Sequence, residues 1–90
     1  MAVQPQQIVI YTTQFCPYCV RAKALLSHKG VEFKEIRVDS DRQLREEMMR
    51  LSKQTTVPQI WIGEKHIGGC DDLYLLEREG KLDLLLNNNK

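Results

Sequence analysis

The sequence has few cysteines, few prolines and almost no net charge. Thirteen lysines and arginines stand against twelve aspartates and glutamates, a formal charge of +1 over 90 residues. That balance offers no electrostatic attraction to a phosphate backbone or an anionic bilayer, which argues against nucleic-acid and membrane partners. No apolar run approaches the ~20 residues of a membrane-crossing helix. Met1 to Gln7 has neither a basic stretch nor an apolar core, so it does not read as a secretory leader. The expected address is the cytoplasm. Three cysteines are an odd number, and too few for a disulfide framework. There are no internal repeats and no low-complexity tracts. At 42% hydrophobic and 28% charged, the composition is that of one folded domain.

Two of the three cysteines stand together in Cys16-Pro17-Tyr18-Cys19. Residues three apart share one helical turn, close enough to form and break a disulfide. Proline fits the first helical position, where its missing N–H costs nothing. Cys16 then falls at or beside the N-cap, facing unpaired N–H groups and the positive end of the helix dipole. That placement favours the thiolate, which is the reactive form. A lone C-x-x-C also fits metal binding. Zinc needs four ligands, however, and the other candidates are only Cys70, His28 and His66, with no second C-x-x-C. No metal is expected. Cys19 lies on the apolar helix face and reads as a small buried hydrophobe. A protected thiol there makes a good resolving partner and a poor first nucleophile.

The remaining elements follow from periodicity. Ile8-Val9-Ile10-Tyr11 suits a central strand, buried on both faces. A helix from Pro17 to Lys29 has Cys19, Ala22, Leu25 and Leu26 inward, Arg21, Lys23 and Lys29 outward, and Gly30 as its stop. Val31 to Val38 reads as a strand. Asp39-Ser40-Asp41 offers an N-cap for a helix with Leu44, Met48 and Leu51 inward. Its Arg42, Arg45, Glu46, Glu47 and Arg50 form a solvated face. Gln59 to Ile62, a turn at Gly63-Glu64-Lys65, and His66-Ile67 form a hairpin. Asp71 to Glu79 is a helix with Leu73, Leu75 and Leu76 inward, stopped by Gly80. Leu82 to Leu86 forms a last short helix. The order β-α-β-α-β-β-α implies one mixed four-stranded sheet with helices on both faces, an α/β fold.

Two further stretches bear on chemistry. In Thr56-Val57-Pro58, proline pushes Val57 into an extended conformation, free to offer its N–H and C=O to an incoming peptide. From these residues alone a plain strand start is the preferred reading. In Gly68-Gly69-Cys70-Asp71-Asp72, two glycines allow close backbone approach, and an acidic pair opens a helix. Amides there can hold a carboxylate and an Asp can hold an ammonium, the two groups of an α-amino acid. Plain N-capping by Asp71 is the alternative.

Together, Cys16-Pro17-Tyr18-Cys19, Thr56-Val57-Pro58 and Gly68-Gly69-Cys70-Asp71-Asp72-Leu73 resemble the glutaredoxin family, from Ile8 to Leu86. The resemblance implies a thioredoxin fold, one domain over 1–90 with tails at 1–7 and 87–90, and a monomer. It implies a glutathione-dependent oxidoreductase that reduces protein disulfides and protein–glutathione mixed disulfides, ribonucleotide reductase being one family partner. Glutathione would be the co-substrate. Cys16 would be the nucleophile and Cys19 the resolving thiol. A cis Pro58 would face them, and Val57 would pair with the cysteinyl part of glutathione. Tyr18 and Thr56 would line the groove. Backbone amides at Gly69, Cys70 and Asp71 would take the γ-glutamyl carboxylate, with Asp71 or Asp72 near its amino group. The Cys70 side chain would be dispensable.

Two positions depart from the family pattern. Thr13 and Gln54 stand where many relatives carry basic residues that assist the glycine carboxylate of glutathione. Gln54 can still donate hydrogen bonds, and Lys53 or Arg37 are candidates to replace the charge. Weaker glutathione binding is therefore expected, with Cys16 activated mainly by the helix terminus. The alternative reading is a dimer holding a glutathione-ligated iron–sulfur cluster. Pro17 argues against it, since cluster holders usually carry glycine or serine there. A redox sensor without turnover is the third.

Overall fold

The computed structural model describes residues 7–86. Eight elements follow one another: β1 (Ile8–Thr12), α1 (Pro17–His28), β2 (Lys34–Arg37), α2 (Arg42–Ser52), β3 (Gln59–Ile62), β4 (Lys65–Gly68), α3 (Cys70–Arg78) and α4 (Leu82–Leu86). They form one sheet in the order β2-β1-β3-β4. β1 is central. It pairs parallel with β2 (Tyr11 beside Ile36) and antiparallel with β3 (Ile10 beside Ile60), and β3 pairs antiparallel with β4.

Alternation along β1 sends side chains to two cores. Ile8 and Ile10 join Ile60, Ile62, Ala22, Leu25, Leu26, Leu73, Leu82 and Leu86, beneath α1, α3 and α4. Val9 and Tyr11 face the other way and pack with Val38, Met48, Leu44 and Trp61, beneath α2. Helices therefore cover both faces, as expected from the element order. The sheet needs this, because a strand apolar on both sides must be covered on both.

Several expectations change in the fold. β2 is only Lys34–Arg37, not Val31 to Val38. It is an edge strand, so Val31 and Phe33 reach the core without pairing, while Val38 continues by donating its N–H to the Thr12 carbonyl. Leu51 is 48% exposed, and Ser52 takes the inward place at the end of α2. Leu75 is likewise exposed, and α3 packs through Leu73, Tyr74 and Leu76. Lys29 does not face away into solvent. Its ammonium bridges Glu77 of α3 and Asp83 of α4, at 2.7 and 3.0 Å, closing the three helices together. α3 begins at Cys70 with Gly69 as its N-cap, so Asp71 is not the cap. Of the expected tails, 1–6 and 87–90 lie outside the described residues. Gln7 is tied to the fold, its carbonyl accepting the Gly63 N–H at 2.7 Å. Among the described residues, no helix is long and apolar enough to cross a membrane.

Candidate active site

α1 starts at the end of the central strand, and its first turn carries the cysteine pair. Cys16 is the N-cap, with extended backbone (φ −123°, ψ 106°), and Pro17 is the first helical residue. The Cys16 sulfur accepts a hydrogen bond from the Cys19 backbone N–H at 3.2 Å. The Cys16 carbonyl meanwhile takes the Val20 N–H. The sulfur thus does the work of a capping oxygen, at the end of the helix where partial positive charge accumulates. Cys16 is half-buried, whereas Cys19 is only 1% exposed. Burial, and next the hydrogen bond with Cys16, push the Cys19 thiol up to about 12. No disulfide joins them here.

Across from the pair runs the loop between α2 and β3. Lys53 ends α2 in a left-handed conformation (φ 62°) and turns the chain back. The Ser52 hydroxyl holds the Gln54 backbone at both its N–H and its carbonyl, each at 3.1 Å. The Val57–Pro58 peptide is cis, and the Val57 carbonyl lies 3.9 Å from the Cys16 sulfur. Among the described residues, no protein group takes the Val57 N–H. The third side is the start of α3. Gly68 has φ 115°, a conformation that side-chain-bearing residues rarely adopt. A Cβ there would run into the Asp72 carboxylate. That carboxylate accepts the Gly69 N–H at 2.9 Å. A Cβ on Gly69 would lie 3.4 Å from the Pro58 carbonyl, in van der Waals contact. The absence of a side chain at Gly68 thus lets the Asp72 carboxylate fold back over the helix start.

The three sides enclose a cleft of about 400 Å³ lined by Tyr18, Gln54, Thr56, Val57, Pro58, Gly69, Cys70, Asp71 and Asp72. It gathers all eight residues expected to flank glutathione, and adds Gln54. Tyr18 stands 54% exposed at the rim. Cys70 is buried at the first turn of α3, and desolvation pushes its thiol up. Arg37 and Lys53 do not line the cleft. The Arg37 guanidinium is held by the Asp39 carboxylate through two bonds of 2.8 and 2.6 Å. That pairing keeps Asp39 down at about 2. A larger hollow of about 840 Å³, bordered by Gln7, Lys29, Phe33 and Leu86, opens at the other end of β1, with no cysteine on its walls. Neither Cys16 nor Cys19 is on the wall of the smaller cleft; Cys16 reaches it through its contact with the Val57 carbonyl, and Cys70 is the thiol that lines it.

One residue behind the cleft escaped sequence reasoning. Gln59, fully buried on β3, bonds Gln54, Thr56 and His66. The available signal was a glutamine opening an otherwise apolar strand directly after a proline. Among the described residues there is no group of three or more His, Cys, Asp or Glu side chains placed to hold a metal ion.

Comparison with known proteins gives a consistent result. Residues 8–67 match the glutaredoxin family. The chain is 64% identical to a glutaredoxin of Pseudomonas aeruginosa over 80 residues, covering 89% of this chain and 95% of that protein. It is 60% identical to glutaredoxin 3 of Escherichia coli over 79 residues, covering 88% and 95%. Its fold superposes on the crystal structure of a buckwheat glutaredoxin–glutathione complex with a TM-score of 0.85 at 32% identity, covering 92% of this chain and 78% of that one. The sheet order and the two helical layers are those of the thioredoxin fold.

Proposed function

Because this chain belongs to the glutaredoxin family, and is on that ground a thiol–disulfide oxidoreductase, we propose that it draws its electrons from glutathione through Cys16 and Cys19. The observation that carries this reading is the position of the Cys16 sulfur. It caps a helix and lies 3.9 Å from the carbonyl of Val57, a residue that lines the cleft. The buckwheat glutaredoxin was crystallised as a glutathione complex, and this chain superposes on it.

In the proposed cycle, the Cys16 thiolate attacks the glutathione sulfur of a protein–glutathione mixed disulfide. The protein leaves as thiolate, and Cys16 carries the glutathionyl group. A second glutathione thiolate attacks that glutathione sulfur, releasing glutathione disulfide and restoring Cys16. On a protein disulfide, Cys16 forms the mixed bond and Cys19 attacks it, leaving a Cys16–Cys19 disulfide that two glutathiones reduce. Transfer needs an ionised attacker and a good leaving group. The helix terminus favours negative charge at Cys16. Burial holds Cys19 protonated until the mixed disulfide brings a partner to it.

In this reading the cleft takes an extended peptide with a carboxylate at each end. The Val57 N–H and carbonyl would pair with the cysteinyl unit, as a strand adds to a sheet edge. The N–H groups of Cys70 and Asp71, at the start of α3, would take the γ-glutamyl carboxylate, with Asp71 near the ammonium; the Gly69 N–H, also expected there from the sequence, is instead held by the Asp72 carboxylate. Tyr18 and Thr56 would flank it. Asp72 is already engaged by the Gly69 N–H, so Asp71 is the better ammonium partner. We further propose a single-domain monomer working in the reducing cytoplasm, with ribonucleotide reductase among its protein substrates.

A pair of variants tests the roles. Cys16→Ser abolishes all turnover. Cys19→Ser keeps reduction of a small glutathione mixed disulfide and loses reduction of protein disulfides. If Cys19→Ser removes both activities while Cys16→Ser keeps one, the assignment is reversed.

A further inference from the structure

We propose that Gln59 and His66, neither of which lines the cleft, are positioning residues that fix which end of the Gln54 amide faces glutathione. The inference rests on the glutathione-dependent reading above. It starts from one unambiguous acceptor. The Thr56 backbone carbonyl lies 3.0 Å from the Gln59 side-chain nitrogen. A carbonyl oxygen only accepts, so Gln59 must present its NH2 group there. Its Oε1 is then turned to His66 Nε2, 2.8 Å away. That oxygen also only accepts, so His66 carries its hydrogen on Nε2.

The same NH2 group reaches Gln54 Oε1 at 3.1 Å and the Thr56 hydroxyl at 3.2 Å. An NH2 group facing a second amide requires that amide's oxygen. Gln54 therefore turns its oxygen inward and leaves its own NH2 for the cleft it lines. Two N–H donors in that position meet a carboxylate. An exposed amide without this constraint would flip, and would spend part of its time presenting an oxygen that repels the same anion. The far end of this series of hydrogen bonds is packed. Gln59 is fully buried, and the His66 ring lies tilted by 37° against Trp61, with ring centroids 4.7 Å apart. Orientation passes from His66 to Gln59 to Gln54, and the cleft gains a directed donor where Gln54 stands in place of a basic residue.

The test is steady-state kinetics with glutathione and a glutathione–cysteine mixed disulfide. Wild-type protein that shows no glutathione-dependent turnover refutes the underlying reading, independently of any variant. Given that turnover, His66→Phe keeps an aromatic ring against Trp61 and removes the donor. Its KM for glutathione should rise about five- to tenfold, with kcat within about twofold, the size of one lost buried hydrogen bond. His66→Gln, whose amide donates from a similar place, should restore most of the loss. In a Gln54→Ala background, which should itself raise KM, His66→Phe should add nothing, because coupled residues are not additive. An unchanged KM in His66→Phe, or an equal rise with Gln54 absent, overturns the proposal. Should His66→Phe fail to fold, Gln54→Ala on its exposed loop decides alone, and an unchanged KM there overturns it.

Discussion

The backbone N–H of Cys19 points at the sulfur of Cys16, 3.2 Å away. The proposed nucleophile is therefore also a structural cap, and the two roles are separable. Serine is among the best N-cap residues, and alanine leaves the N–H unpaired. Cys16→Ser should match wild type in stability while losing turnover. Cys16→Ala should lose turnover and also about 1 kcal/mol of stability. Urea unfolding distinguishes them. Equal midpoints for the two variants would show that the sulfur contributes nothing to the helix start.

Cys19 predicts an alkaline effect. Its thiol is pushed up to about 12, chiefly by burial. A raised folded value means that the folded state holds the proton more tightly than the unfolded chain. The corresponding stability is fully present below the ordinary thiol range and is lost as pH rises from about 9 toward 12. Thermal melts across that window should fall more steeply for wild type than for Cys19→Ser, which has no thiol to ionise. At neutral pH, iodoacetamide should label Cys16 in the folded protein and spare Cys19.

Gly68 combines a φ of 115° with an Asp72 carboxylate where a Cβ would stand. Gly68→Ala should cost about 2 kcal/mol or more, from backbone strain together with displacement of the Asp72 cap. In an Asp72→Ala background the additional cost should be smaller, because the clash is gone and only the strain remains. Chemical denaturation of the four proteins measures both parts. Equal costs in the two backgrounds would leave strain as the sole cause.

Lys53 closes α2 in the left-handed region, where side-chain-bearing residues are disfavoured by roughly 1–2 kcal/mol. Its side chain is exposed and does not line the cleft. Lys53→Gly should raise stability by about 0.5–1 kcal/mol with glutathione kinetics unchanged. A fall in melting temperature would mean that the lysine side chain stabilises the cap in another way.

Thr13 sits three residues before Cys16, in the loop that leads from β1 to the thiols. Arg37 does not line the cleft, and its guanidinium is paired with Asp39. Thr13→Lys should lower the KM for glutathione by about two- to fivefold at low ionic strength, less so at high salt, as a screened surface interaction does. No change at either ionic strength would show that charge at this position does not reach the substrate.

The fold was legible because its signals are local and strong. An unbroken Ile-Val-Ile-Tyr run, β-branched and aromatic and bounded by polar residues, suits a strand covered on both faces. Gly30 and Gly80 both end helices with φ near +70°. The misreadings share a cause. Leu51 and Leu75 have the right period for an inward face, but how far a core extends along a helix depends on what lies opposite, and periodicity does not contain that. Lys29 reads as a solvent residue until α3 and α4 bring Glu77 and Asp83 to it.

By itself, the sequence determined the chemistry: two thiols one turn apart behind a proline, at the start of a helix, in the order of motifs that glutaredoxins share. Those features are short in sequence, so they survive without coordinates. The family resemblance named eight of the cleft residues; only the tertiary structure decided that they meet, that Gln54 joins them, and which way they face. Tyr18, Thr56 and Asp71 come from three separate elements, and no spacing along the chain brings them together. The orientation of the Gln54 amide depends on a buried glutamine and a histidine from β3 and β4. Hydrogen-bond direction is a property of a closed network in space, and it exists only once the sheet has formed.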